Sequence, residues 1–248
     1  MSSVTITDGE GVRLVQWNRP EALNALNDEL WDATREALRS AREDPAIRCV
    51  VLTGSGRAFT AGQDLGEMVE PPEHADDDTH GYRGFIPVLE EFDKPLLAAV
   101  NGIALGIGAT ILPYCDIVWI AEDARLKVPF VTLGVTTEAA GSYLLPARMG
   151  WQAAAHFIFT AGWMSAAEAV GCGLAWKACP PDSLLDETMA TARQIGAMGV
   201  DSLQTTKRLM VAARADAVRA AREREDREFP RMVGSPENAE ALAKFFAG

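Results

Sequence analysis

The chain has 248 residues, 48% of them hydrophobic and 23% charged, and a formal net charge of −12. That length and composition predict a soluble globular protein with one sizeable core, and the acidic balance excludes the basic face that nucleic-acid binding requires. No apolar run approaches the roughly 20 residues of a membrane span, and MSSVTITDGEG lacks the basic and apolar regions of a secretory leader, so the expectation is a cytoplasmic protein with no membrane or nucleic-acid partner.

Residues 3–17 read as a hairpin, because the turn Asp8-Gly9-Glu10-Gly11 leads into the imperfectly alternating run Val12 to Trp17. Asn27-Asp28 then caps an amphipathic helix. Leu30, Ala33, Ala37, Leu38 and Ala41 recur along it at helical spacing until Asp44-Pro45 stops it. Three short apolar runs follow, Cys49–Leu52, Leu96–Val100 and Ile117–Ala121. Unbroken runs of this length suit strands covered on both faces, and with helical segments between them they predict a layered α/β core. Two of the strands end in glycine-bearing turns, Thr53 to Gly56 and Asn101 to Gly108, so the repeating unit is strand, exposed turn, helix.

Residues 66–83, GEMVEPPEHADDDTHGYR, are polar, acidic and proline-bearing, which predicts a long mobile loop. From Ser183 onward the pattern is helical. Arg214 to Arg231 reads as a solvated, charge-laced helix interrupted by Pro230. Pro236 to Phe246 forms a last helix with Leu242, Phe245 and Phe246 in a stripe that packs on the core or on another subunit.

The cysteines 49, 115, 172 and 179 are scattered in or beside apolar stretches, and the three histidines are dispersed, so no metal site is expected. Phosphate-loop, dinucleotide-binding and nucleophile-elbow signatures are missing. What stands out is a pair of small-residue turns, Ala58 to Leu65 and Asn101 to Gly108, each following a strand candidate. Small residues let main-chain N–H groups approach a ligand, and two converging donors would make an oxyanion hole. Spacing alone leaves two ordinary tight turns as the competing description. Glu138, in LGVTTEAAGS, is likewise either a turn or N-cap acid at the start of a helix over Ala139–Gly150 or the reagent of a site.

Four stretches, Asn18 to Leu26, AFTAGQDLGEM (58–68), KPLLAAVNGIALGIGA (94–109) and CDIVWIAEDARL (115–126), together resemble the enoyl-CoA hydratase/isomerase, or crotonase, family. The resemblance runs from about Val12 to Lys177. It implies an α/β fold, a crotonase-like spiral of ββα units over residues 1–190, with residues 191–248 as a C-terminal helical oligomerisation region. It also implies an acyl-CoA thioester substrate and a homotrimer or dimer of trimers. No metal or redox cofactor is implied, because coenzyme A enters as part of the substrate.

Carried onto this chain, the family's oxyanion donors are the backbone N–H groups of Gln63 and Ile107. Asn24, Ala25, Ala61, Gln63, Asp64, Leu65, Gly66 and Ile107 are the implied acyl-CoA contacts. Coenzyme A phosphates have only Arg19 or Lys244 to meet them. The family's hydratases place water with two glutamates, and the corresponding positions here are Thr110 and Phe130. Glu138 instead falls on the catalytic acid of the branch resembling Δ3,Δ2-enoyl-CoA isomerases. The expected function is therefore enoyl-CoA isomerisation in fatty acid metabolism. Hydration or other thioester-enolate chemistry and acyl-CoA binding without turnover are the alternatives.

Overall fold

The computed structural model describes residues 2–64, 66–67 and 78–247, with the backbone alone for 245–247. Two sheets organise it. The larger has six strands in the order β1-β2-β3-β5-β7-β10, and the smaller has four in the order β4-β6-β8-β9. The expected hairpin is β1 (Val4–Gly9) against β2 (Val12–Trp17), antiparallel with Val4 opposite Trp17. From β2 onward the large sheet is parallel, through β3 (Cys49–Gly54), β5 (Leu96–Val100), β7 (Ile117–Ala121) and β10 (Lys177–Cys179).

Each of the three expected core strands feeds a short second strand in the small sheet. These are β4 (Ala58–Thr60), β6 (Ile103–Leu105) and β8 (Arg125–Lys127), closed by β9 (Met164–Ser165). The chain thus changes sheets after each core strand, at glycine-bearing turns after β3 and β5 and at Glu122-Asp123-Ala124 after β7, which generates the ββα spiral. Every residue of β3 and β5 is buried, as their unbroken apolar composition requires.

Helix α1 (Asp28–Glu43) starts where expected, because the Asn27 side chain accepts the Leu30 N–H at 3.1 Å. It buries Leu30, Trp31, Ala37, Leu38 and Ala41. The Lys94 ammonium, itself buried, donates to the Ala41 and Asp44 carbonyls at its C-terminal end. Helix α2 (Gly81–Glu91) begins inside the segment expected as loop. Its start is fixed from a distance: Asp32 on α1 accepts the Gly81 N–H at 2.9 Å and meets the His80 ring at 2.6 Å. A cap supplied by a residue 49 positions away leaves no local signature.

The chain continues through α3 (Ile107–Thr110), α4 (Gly141–Met149), α5 (Trp151–Thr160) and α6 (Ala166–Gly171) to α7 (Leu184–Gly196). Residue 190 lies within α7, which packs across β3, β5 and β7. Helices α8 (Val200–Ala212), α9 (Ala215–Met232) and α10 (Pro236–Ala247) follow. Helix α8 is tied to the core by Lys207, whose ammonium lies 2.9 Å from Asp116 and donates to the Lys94 carbonyl at 2.7 Å.

Helix α9 runs through Pro230 rather than breaking there. The proline sits in the last turn, so the helix forfeits a single hydrogen bond before it ends two residues later. Helix α10 docks on the 131–133 turn, where the Asn238 amide donates to the Leu133 carbonyl at 2.6 Å. Leu242 is half-buried, while the Phe245 and Phe246 side chains lie outside the described residues. Cys49, Cys115 and Cys179 are buried thiols. No described helix is long and apolar enough to cross a membrane.

Candidate active site

The two small-residue turns pack directly on one another. Strands β4 and β6 pair in parallel. Gly62 then lies on the Leu105 carbonyl and Gly108 lies on the Thr60 side chain, so closely that a Cβ at either would sit 2.9 and 2.4 Å from those atoms. Glycine at both positions is what lets the turns meet.

The Gln63 N–H is oriented by its neighbours. Leu26 N–H donates to the Gly62 carbonyl at 2.8 Å and Asp64 N–H donates to the Leu26 carbonyl at 3.0 Å, forming an isolated parallel bridge across Gln63. In such a bridge the central residue's own N–H faces the opposite side. It meets no acceptor among the described residues. The Ile107 N–H is the first of α3, a donor with no partner of its own in the helix. Gly106 turns the chain into that helix at φ 52° and ψ −117°, a conformation essentially closed to residues with a Cβ. Main-chain donors from adjacent turns, both left open, are the elements of an oxyanion hole.

The remaining expected contacts build this platform. The Asn24 side chain is wholly buried. It accepts the Arg19 N–H at 2.9 Å and donates to the Ser55 and Ala58 carbonyls at 2.9 and 2.8 Å. Ala61 N–H donates to the Leu23 carbonyl at 2.9 Å, and the half-buried Ala25 offers its carbonyl to Arg19. Asp64 pairs with Arg19 at 2.9 Å and accepts the N–H of the exposed Gly66 at 3.0 Å. Arg19 is thereby engaged by a carboxylate. Leu65 lies outside the described residues. Lys244 pairs with Glu240 at 2.7 Å on α10.

Thr110 is fully buried and Phe130 is 5% exposed, so neither position offers an acid to the site. Helix α4 begins at Gly141 rather than at Ala139, and Glu138 caps no helix: the N-cap position is Ala140, with no side-chain cap bond. Ala139 and Ala140 instead form a left-handed pair, with φ of 57° and 55°. Each such residue costs on the order of 1–2 kcal/mol, so the turn stands only because its surroundings hold it. The Tyr82 hydroxyl accepts the Ala139 N–H at 2.9 Å and the Tyr114 hydroxyl donates to the Ala139 carbonyl at 3.0 Å. Glu225 accepts the Ser142 N–H at 2.7 Å.

This turn presents the half-buried Glu138 side chain to a cavity of about 530 Å³, lined also by Tyr82, Arg83, Ile86, Glu225, Asp226 and Phe229. Burial, and then the charges of Glu225 and Asp226, push the Glu138 carboxyl up to about 8. A carboxylate with that affinity is a competent base near neutral pH. The cavity and the donor turns are joined by side chains. The Gln63 side chain accepts the Trp31 indole N–H at 3.0 Å, and Trp31 meets Tyr82 edge-on with ring centroids 6.1 Å apart. On the other side the Thr110 methyl at the end of α3 packs on Gly141.

Tyr82, Tyr114 and Asp226 carry no signal in the local sequence patterns, and Glu225 carries a weak one. Tyr82 falls in the segment expected as loop. Glu225 falls in the run expected as solvated helix, yet it is 4% exposed. Its spacing from Val218 and Ala221 continues their buried stripe, the one cue that would have found it.

The comparisons with known proteins agree with this architecture. The profile of the enoyl-CoA hydratase/isomerase family matches residues 7–246. The 1,2-epoxyphenylacetyl-CoA isomerase of Escherichia coli K12 is 32% identical over 96% of this chain and 93% of its own length. An enoyl-CoA hydratase/isomerase structure from Pseudoalteromonas atlantica T6c superposes with a TM-score of 0.93 at 34% identity, covering 99% of this chain and 97% of the other. An enoyl-CoA hydratase structure from Mycobacterium marinum gives a TM-score of 0.80 at 45% identity, covering 85% of this chain and 99% of the other. With its chain-long profile match, its spiral of ββα units and its relatives at 32% and 34% identity, the chain belongs to the enoyl-CoA hydratase/isomerase, or crotonase, family of acyl-CoA enzymes.

Proposed function

We propose that the chain is an enoyl-CoA isomerase that converts a 3-enoyl-CoA to the conjugated 2-enoyl-CoA. The observation that carries the reading is Glu138: a cavity-lining carboxylate, held on a strained turn and raised to about 8. Threonine and phenylalanine stand at the two positions where the family's hydratases carry glutamates. Water activation by a pair of acids is therefore not provided for, whereas a double-bond shift needs one proton-carrying group.

In the proposed reaction the Glu138 carboxylate takes a proton from C2, and the C–H electron pair moves into a C1–C2 double bond while the carbonyl pair shifts onto the thioester oxygen, giving a dienolate conjugated with the original C3–C4 double bond. The Gln63 and Ile107 N–H groups stabilise the charge arriving on the thioester oxygen. The Glu138 carboxyl then returns its proton to C4, which leaves the C2–C3 double bond and restores the base. No proton is gained or lost overall, and the reaction consumes no cofactor, coenzyme A being the handle of the substrate. We assign the assembled form to a homotrimer or dimer of trimers, by analogy with the family.

The test is to supply the purified protein with 3-enoyl-CoA and 2-enoyl-CoA of several chain lengths and follow the conjugated thioester by absorbance. The expected result is conversion of the 3-enoyl substrate, reduced by about 10²–10⁴-fold in Glu138→Gln. Turnover that survives the substitution sinks the role of Glu138. Tight binding without turnover by the unmodified protein would instead favour an acyl-CoA carrier.

A further inference from the structure

We propose that Glu225, on α9 of the C-terminal helices, is a positioning residue for Glu138: it anchors the left-handed Ala139–Ala140 turn and faces the Glu138 carboxylate with an uncompensated charge. The catalytic meaning of this inference rests on the isomerase reading.

The argument begins with burial. Glu225 is 4% exposed and continues the buried stripe of Val218 and Ala221. A carboxylate in that position is costly unless hydrogen-bonded. One oxygen, Oε1, accepts the Ser142 N–H at 2.7 Å; burial pushes the carboxyl upward, and hydrogen bonding from Ser142 and the Ala140 N–H opposes that shift. The other, Oε2, is buried with no hydrogen-bond partner among the described residues. A brace for the turn needs only one acceptor, which glutamine would provide without the second oxygen's desolvation. The charge is therefore surplus to the bracing, and it lies in the wall of the Glu138 cavity.

The cations of that cavity do not neutralise it. From α2, Arg83 pairs with Asp78 at 2.8 Å. On α9, Arg222 lies 3.0 Å from Glu90 and 3.9 Å from Asp226. The other groups around the turn are Tyr82 and Tyr114, both engaged by the Ala139 backbone and both pushed upward chiefly by burial. Glu225 and Asp226 are thus the acids facing Glu138, and Glu225 is the first charge after burial to raise it. One residue fixes where the base sits and makes it reluctant to lose its proton, which suits a group that must both take and return one.

The experiment labels the glutamate side-chain carboxyls with carbon-13 and follows their titration by NMR in the free protein. The Glu138 signal is identified by its loss in Glu138→Gln. In Glu225→Gln the Glu138 midpoint is expected to move down by about one pH unit, with the acid limb of kcat moving alongside it. In Glu225→Ala, kcat is expected to fall about 10²-fold while KM changes far less. An unshifted Glu138 midpoint in Glu225→Gln overturns the proposal whatever the rates. Should Glu225→Ala fail to fold, the Glu225→Gln titration decides alone. Because the titration uses no substrate, an absence of 3-enoyl-CoA turnover in the unmodified protein would reject the isomerase reading and leave the role of Glu225 to be judged separately.

Discussion

Glu138→Gln is expected to stabilise the protein as it removes activity, and the pH dependence of that gain is a direct measure of the environment of the site. In the folded chain the carboxyl is held at about 8, against 4.5 for the free side chain. Between those pH values the folded state retains a proton that the unfolded state has lost. The unmodified protein therefore loses stability, relative to the glutamine variant, as pH rises from about 4.5 to about 8, and loses no more above it. A difference of about 3.5 at about 1.4 kcal/mol per pH unit sets a ceiling near 5 kcal/mol. Glu138 is half-buried at the wall of an open cavity, so solvent screening brings the expected gap down to about 2 kcal/mol. Urea unfolding of both proteins by tryptophan fluorescence, at intervals from pH 4.5 to 9, reads the gap directly. The background titration of this acidic chain cancels in the difference. Equal stability at pH 4.5 and a gap opening towards pH 8 is expected; a gap that stays constant across the range would refute the reasoning.

Other consequences concern the rate, the donors and the platform. In the proposed reaction the carboxylate is the working form, so kcat/KM for a 3-enoyl-CoA should rise about tenfold per pH unit below about 8 and level off above it; a profile flat from pH 6 to 9 would count against Glu138 as the base. Gly106→Ala meets no atom within 4 Å, so its effect is purely one of backbone conformation: it should misdirect the Ile107 N–H and lower kcat about 10²–10³-fold in a folded protein. By contrast Gln63→Ala keeps the main-chain donor, and kcat is expected to stay within about tenfold, a loss as large as that of Gly106→Ala being the contrary result. Asn24→Ala removes a buried amide that accepts the Arg19 N–H and donates to the Ser55 carbonyl, while the Ala58 carbonyl keeps the Asn101 amide at 3.2 Å, and thermal and urea unfolding should show a loss of about 1–3 kcal/mol.

The large sheet and α1 were legible because they are written locally. Cys49–Leu52, Leu96–Val100 and Ile117–Ala121 are continuous apolar runs, and buried parallel strands need nothing else. Asn27 announces α1 by the same local chemistry that caps it. The start of α2 was hidden because Asp32 caps it from another helix, and Gly81 to Arg83 look like the end of a polar loop until that contact is made. Pro230 misled for a related reason. Its cost depends on how many hydrogen bonds lie beyond it, and in the last turn of α9 there are too few to break the helix.

Glu138 shows most clearly where reading the sequence stops. Its apolar flanks hint at a shifted carboxyl, but two successive left-handed alanines are the least expected conformation for Ala139-Ala140, and helix from Ala139 is what their composition favours. The helix is delayed because its would-be first turn is taken by longer-range partners: Tyr82 from α2, Tyr114 from the core and Glu225 from α9. Three separate elements must therefore be in place before the carboxylate reaches its cavity. That requirement links the C-terminal helices to the chemistry of the spiral core. Substitutions on the buried face of α9 should then disturb the site even where they leave the donor turns untouched.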